Sequence, residues 1–486
     1  MVMAKEICQG RYRNNYGDGH IHFLVAVYSM QGHLNPARCL ARRLAGIGGA
    51  TVTLSMPIFG HRRTLASDEE VNDGAISYIP FSDGKDDGSW AKDWEERTWR
   101  RRASAESLSA VVGRLAAEGR PVTCMVSTLN MPPAIDVARE HRIPFAVFWV
   151  QPATTLATYY HYFHGHAEMI NSRAADTACV VSLPGLHPLS IREMPSLIID
   201  KDEASKMYLR GFGELFEQIE QDKAMVLVNT CDALELEATS LKALQSHLDV
   251  IAVGPTVPPA GAGEEAIHLF RRDEKKYMEW LDSQPAKSVV YVSFGSLGTY
   301  SQRQAEEILR GLRCCARAYL WVVRREGRME EVERLIMGTG AEDDESTGMV
   351  VEWCDQLRVL AHPSVACFVT HCGWNSTLEA VASGVPAVAV PGWSDQSLNA
   401  HLVEEWGVGV RAERDAEGLL PGVELARCVE LVMGDGGTAA KVKTNAAAYQ
   451  EKARQAMAAD GPSERNLGSF VNRVRHLVAA VEKNHA

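Results

Sequence analysis

Short runs rich in β-branched residues alternate along this chain with longer segments of helical period, and this alternation constrains the fold more than any other feature. In the first half, strands are expected near Ile21 to Tyr28, Thr51 to Ser55, Ile76 to Pro80, Val122 to Ser127, Phe145 to Val150 and Val226 to Asn229. Helices follow from about Asn35, across Ala103 to Leu115 and across Pro132 to Arg139. From Val253 to Glu264 the text becomes VGPTVPPAGAGE, which has no apolar period and reads as a linker. The alternation then restarts with SVVYVSF, QRQAEEILRGL, YLWVV, MVVEW, ACFVT, a helix from Trp374, AVAVP and a helix from Ser397. The expected fold class is α/β, with two similar, parallel, doubly wound domains in tandem. Ligands of such sheets sit beyond the carboxyl ends of the strands, so the residues just after each apolar run are the ones to inspect.

A length of 486 residues exceeds what one core usually supports, in keeping with two domains. The formal net charge of -12 argues against nucleic acid or an anionic membrane as the main partner, because both attract basic patches. No apolar run reaches the ~18 residues of a membrane span, and the opening MVMAKEICQGRYRNNYGDGH lacks the apolar core of a signal peptide. The 11 cysteines show no metal spacing, and Asn375-Ser376-Thr377 would be a glycan acceptor in a secreted protein. A cytoplasmic protein with reduced thiols, expected to be a monomer, is the simple reading.

After the run ACFVT comes HCGWNSTLE. If ACFVT is a strand and WNSTLEAVASG the next helix, His371, Cys372 and Gly373 occupy the turn between them. Such a turn aims unpaired N–H groups and a positive helix end at one spot, which suits phosphate. Asn375, Ser376 and His371 add side-chain donors. Glu379 lies one turn beyond Asn375 on the same face, where a carboxylate can accept both hydroxyls of a ribose. The plainer reading is a capped helix beside a core histidine.

The flanking text favours the nucleotide. From Trp353 to Gln396 the chain reads WCDQLRVLAHPSVACFVTHCGWNSTLEAVASGVPAVAVPGWSDQ, which resembles the signature of plant family 1 UDP-dependent glycosyltransferases. QGHLNPARCLA, SYIPFSDG and VVYVSFGSL are similar to other family segments. The resemblance implies two tandem Rossmann-like domains facing across a cleft: an acceptor-binding domain over 1–254, a linker over 255–275, a UDP-sugar domain over 276–462 and a C-terminal helix over 463–486 that folds back onto the first domain. It implies that Trp353 stacks on uracil, Gln356 lies near the base and Glu379 takes the ribose. His371, Gly373, Asn375, Ser376, the Trp374 backbone and Ser296 would hold the diphosphate, and Asp395 and Gln396 would read the sugar. The closing glutamine points to UDP-glucose as co-substrate. Cys354-Asp355 departs from the common Ala-Pro, a small change where backbone contacts dominate. The mechanism implied is inverting displacement at the anomeric carbon, with no metal or other cofactor.

In the first domain, Asn35 reads as a helix cap with Pro36 at the first helical position, and His33 sits in the preceding turn facing the cleft. There a neutral imidazole, with a pKa near working pH, can take a proton from an acceptor hydroxyl. In the resembled family an aspartate orients that base, but the aligned position here is Thr128, which can accept from the ring N–H without supplying charge. A weakened base costs less with a carboxylic acid, which arrives ionised, than with a phenol or alcohol. Both acceptor classes stay open, giving a β-glucoside or a glucose ester of a small apolar plant metabolite. Trp90, Trp94, Trp99, Phe148, Trp149, Tyr159, Tyr160, Tyr162 and Phe163 are candidates for the acceptor pocket, fewer than half of them touching a ligand. Asp200-Lys201-Asp202 matches a metal-binding pattern of the other major glycosyltransferase fold, but two acids in a polar stretch read as an exposed loop. A nicotinamide dehydrogenase would need GxGxxG opening a helix, which FGSLG and GVGVRAERDAEG do not supply. The alternatives are a sugar-nucleotide isomerase and a UDP-sugar-binding protein without transfer.

Overall fold

The computed structural model describes residues 20–235, 240–258, 269, 276–296, 298, 301–324, 332 and 348–485. Ten strands lie in the first half: β1 Ile21–Ala26, β2 Ala50–Pro57, β3 Val71–Asn72, β4 Ser77–Phe81, β5 Cys124–Thr128, β6 Phe145–Trp149, β7 Val180–Val181, β8 Leu189–Ser190, β9 Met225–Val228 and β10 Val250–Ala252. Six lie in the second: β11 Val289–Ser293, β12 Tyr319–Val322, β13 Gly348–Val351, β14 Val365–Thr370, β15 Ala387–Ala389 and β16 Gly409–Arg411. The first sheet has the order β10-β9-β6-β5-β1-β2-β4-β3, parallel except for the β3–β4 pair. The second is parallel throughout in the order β13-β12-β11-β14-β15-β16. A two-stranded β7–β8 hairpin stands apart.

Both large sheets are covered by helices, so their central strands are apolar on both faces; β1 (IHFLVA) and β14 (VACFVT) are buried at every position. The chain reverses its direction of travel between β1 and β5 in the first sheet and between β11 and β14 in the second. At such a reversal the crossover helices leave on opposite faces and open a crevice past the strand ends. The turns at these two places carry His33 and Asn130, and Ser296 and His371.

Most expected strands shift by a residue or two, but the first helix is corrected more substantially. It spans Gln31–Ala45, with Met30 as N-cap and no side-chain cap bond, so Asn35 and Pro36 lie inside it and His33 is in its first turn. A proline is tolerated this early because the only bond it forfeits is the one to the carbonyl of Gly32. The helix expected at Ala103 to Leu115 begins earlier, at Trp94, where Asp93 Oδ1 accepts from Glu96 N at 2.8 Å. The helix expected from Ser397 is Gln396–Glu405. Asp202, half of the Asp-x-Asp pattern, caps the helix Glu203–Asp222 by accepting from Ser205 N at 2.9 Å. Of the expected linker, residues 255–258 and 269 are described; the rest lies outside the described residues.

The largest apolar cluster runs from the first sheet through Trp374, Leu378, Leu398 and Trp406 of the second half to Leu467 and Phe470. The helix Pro462–His485 lies on the first sheet, with Phe470 5.8 Å from Phe23 and Asn466 Nδ2 donating to Ala252 O at 2.8 Å. The two halves also meet through polar contacts. Trp374 Nε1 donates to Asn229 O at 2.7 Å, and Ser196 N to Ser394 O at 2.8 Å. No described helix is long and apolar enough to cross a membrane.

Candidate active site

Between the sheets lies a cleft of about 1290 Å³, lined from one side by the turns after β11 and β14 and from the other by those after β1, β5 and β6. Of the residues singled out in the sequence, His33, Ser296, Trp353, Cys354, Gln356, His371, Gly373, Trp374, Asn375, Ser376, Glu379, Asp395 and Gln396 all line it. Thr128 does not.

The helix Trp374–Ser383 starts at Gly373 without a side-chain cap, so its first N–H groups are left for a ligand at the cleft. Beside it, His371 is held between two backbones. A Cβ on Gly295 would stand 2.4 Å from His371 Nε2, and one on Gly373 2.6 Å from the same atom. Gly295 also has φ +74°, a region costly for any other residue. Burial pushes His371 down to about 4, so the ring is neutral and can donate one hydrogen bond.

Deeper along the cleft, Gln356 Nε2 donates to Ser376 Oγ and to Glu379 Oε2, each at 2.7 Å, while Tyr291 Oη donates to Gln356 Oε1 at 3.2 Å. The carboxylate is thereby fixed at the foot of the pocket. Burial raises Glu379 to about 7, against the pull of the Gln356 bond toward the ionised form. Cys354 is buried with its sulfur 3.3 Å from Tyr291 Oη, so its side chain packs inward. Trp374 likewise points its indole away, 6.0 Å from Trp406, and contributes backbone.

At the other end, Asn399 Nδ2 donates to Asp395 Oδ2 and to Cys372 O, each at 2.8 Å. Gln396 Oε1 accepts from Gly392 N at 2.9 Å and Trp393 N at 3.0 Å, leaving its amide hydrogens to offer a ligand. Tyr291 and Asn399 escaped sequence reasoning because their roles are to orient other side chains.

Asn375 behaves differently from the expectation of a phosphate ligand alone. Its Nδ2 donates to Gly32 O at 2.8 Å. Gly32 O is the carbonyl that Pro36 leaves unbonded, so a proline in one half frees the acceptor that docks the other half.

Two expectations about His33 are corrected. Thr128 does not orient it: Thr128 Oγ1 accepts from Tyr28 N at 3.1 Å, and His33 Nδ1 is buried with no hydrogen-bond partner among the described residues. Nor does the ring titrate near neutrality, since burial pushes it down to about 4. Its ring meets Tyr28 edge to face at 5.6 Å.

Of the nine candidate aromatics, Trp90 alone lines the cleft. Phe148, Trp149 and Tyr159 are core, and Trp99 is 48% exposed. The aromatic wall is Trp90, Tyr208, Phe212 and Trp393, with Tyr208 6.1 Å from Trp90 and 5.7 Å from Trp393 in edge contacts that link the two halves. Tyr208 and Phe212 lie one turn apart on Glu203–Asp222, a spacing that by itself reads as ordinary core.

Residues 265–437 match the protein family described as UDP-glucoronosyl and UDP-glucosyl transferase. A crocetin glucosyltransferase of Gardenia jasminoides is 42% identical over 466 residues, which are 93% of this chain and 96% of that protein. A phloretin 4'-O-glucosyltransferase of Malus domestica is 39% identical over 94% of this chain and 98% of its own. The crystal structure of Os79 from O. sativa in complex with UDP superposes with a TM-score of 0.79 at 30% identity, covering 93% of this chain and all of that one.

Proposed function

The chain belongs to the family of plant UDP-glucosyltransferases, and on that premise we propose that it moves glucose, with inversion at the anomeric carbon, from UDP-glucose to a hydroxyl or carboxyl group of a small apolar acceptor. The single observation that carries this reading is the meeting of the donor-binding turns and His33 across one cleft, tied together by the bond from Asn375 to Gly32 O at 2.8 Å.

In this reading Trp353 lies against uracil and Glu379, held by Gln356, takes the ribose hydroxyls. The diphosphate rests on the first turn of Trp374–Ser383 with Ser296 and His371 beside it. As the bond from C1 to the β-phosphate oxygen breaks, the charge gathering on UDP meets N–H groups already aimed at it, which lowers the barrier without reorganisation. Asp395 and Gln396 hold glucose hydroxyls and so fix the face of C1 that an acceptor can reach. The acceptor occupies the wall of Trp90, Tyr208, Phe212 and Trp393, with His33 beside its attacking oxygen. Protein donors do the work that a metal does in other transferases, so the reaction proposed is metal-independent.

The test is incubation with UDP-glucose and a mixed panel of phenols and carboxylic acids, read by mass spectrometry. Gain of one hexose on a panel member is the expected result. No hexose on any member, together with no affinity for UDP by calorimetry, would refute the reading.

A further inference from the structure

Asp395 and Gln396, which hold the glucose hydroxyls in the reading above, follow directly on a residue in a costly conformation. Ser394 has φ +62°, in the left-handed region that serine seldom adopts. Such a backbone persists only where the surrounding bonds over-determine it, so whatever holds Ser394 also decides where the next two side chains point.

The second domain ties this loop on either side of Ser394. Gln396 Oε1 accepts from Gly392 N and Trp393 N, and Asn399 N donates to Asp395 O at 2.9 Å. Ser394 itself is gripped from the first domain. Ser196 N donates to Ser394 O at 2.8 Å and Ser394 N donates to Ser196 Oγ at 2.9 Å, a reciprocal pair that engages both backbone groups. Gln151 Nε2 adds a longer contact to Ser394 Oγ at 3.4 Å.

The segment that carries Ser196 is fixed to the second domain along its length, which lets it impose a shape. His187 bonds to Glu405, Glu193 Oε1 lies 3.1 Å from His401 Nδ1, and Arg192 O accepts from Arg411 Nη2 at 3.4 Å. Glu193 is locked in turn by a capping box, its Oε2 accepting from Ser190 N at 2.7 Å. Pro195 restricts the backbone immediately before Ser196.

We propose that Ser196 is a positioning residue for the donor sugar: acting through Ser394, it holds Asp395 and Gln396 in the shape that selects glucose, so the first domain sets the sugar pocket of the second. The proposal rests on the reading of the cleft as a UDP-glucose site. In that reading uracil, ribose and diphosphate are held by second-domain residues, so UDP does not sense Ser196. The sugar does.

The test uses the full chain, an acceptor that gains a hexose, and two donors, UDP-glucose and UDP-galactose, which differ in the configuration of a single sugar hydroxyl. Ser196→Ala is expected to lower the kcat/KM preference for UDP-glucose by at least about fivefold, the worth of one hydrogen bond, while UDP affinity by calorimetry stays within about twofold of wild type. Ser196→Thr and Ser196→Val match in shape and differ in the hydroxyl. The first should follow wild type and the second Ser196→Ala, and this pair decides the matter if Ser196→Ala does not fold. Adding Ser394→Gly to Ser196→Ala is expected to restore most of the preference, because glycine adopts φ +62° without a steric penalty. An unchanged preference without the hydroxyl, a UDP affinity that falls together with that for UDP-glucose, or a double variant that recovers nothing overturns the proposal and leaves glucosyl transfer intact. Failure of the underlying reading looks different, because wild type then binds no UDP and no acceptor gains a hexose.

Discussion

Replacing Gly295 by alanine tests whether the position of His371 governs nucleotide binding. The new Cβ would stand 2.4 Å from His371 Nε2 and 2.5 Å from Cε1, distances no real pair of atoms keeps, and the ring already packs close to Gly373, where an added Cβ would stand 2.6 Å from the same nitrogen. The imidazole must leave its place. A hydrogen bond to a charged partner contributes about 1.5–3 kcal/mol, so UDP affinity should fall by about 10- to 150-fold. A second effect comes with it: alanine at φ +74° costs about 1–2 kcal/mol of stability on backbone grounds alone. The control is Gly119→Ala, at φ +75° with nothing within 4 Å of the added methyl, which carries the same strain far from the cleft. Calorimetric titration with UDP and thermal melts of both variants separate the two terms. Both should melt lower and only Gly295→Ala should lose UDP. Equal UDP affinity in Gly295→Ala and wild type would refute the claim that the pinned ring holds the diphosphate.

Trp353→Ala should weaken UDP by about 1–3 kcal/mol, the worth of one base stack, with Trp353→Phe in between; calorimetry decides. Burial raises Glu379 to about 7, so its contribution to stability is fully present below its unfolded pKa of about 4.3 and is lost as pH rises through 7. Glu379→Gln should therefore melt higher than wild type at about pH 8.5 and level with it near about pH 4, while binding UDP more weakly at both. His401 Nδ1 lies 3.1 Å from Glu193 Oε1 across the two halves; His401 is raised by that carboxylate despite burial, and Glu193 is lowered to about 2. The pair stabilises above the usual carboxylate range until His401 loses its proton, so His401→Gln should lower the Tm at about pH 6 and leave it unchanged at about pH 9.

The alternation of apolar runs with helical segments was enough to give two parallel sheets, because parallel strands need crossovers and buried strands read as unbroken apolar text. The cleft-lining residues of the second half were legible for a related reason. Ser296, His371, Gly373, Asn375, Ser376 and Glu379 are placed by short strand-to-helix turns, so spacing along the chain fixes spacing in space. The start of the first helix misled, because Asn35 and Pro36 carry a capping signature that is silent about a distant partner; the Asn375 side chain uses the carbonyl that Pro36 releases, that of Gly32, 343 residues away. The aromatic wall of the cleft was not legible at all. Trp90, Trp393 and the Tyr208–Phe212 pair come from three separate segments, each unremarkable by local period. Sequence by itself determined what local backbone geometry can specify, namely the alternating strands and helices of the two sheets and the strand-to-helix turn that carries His371 to Glu379. Only the tertiary structure decided which aromatics line the cleft and that Nδ1 of His33 is buried without a partner among the described residues, since burial and orientation across a domain gap depend on packing between residues that the chain itself keeps far apart.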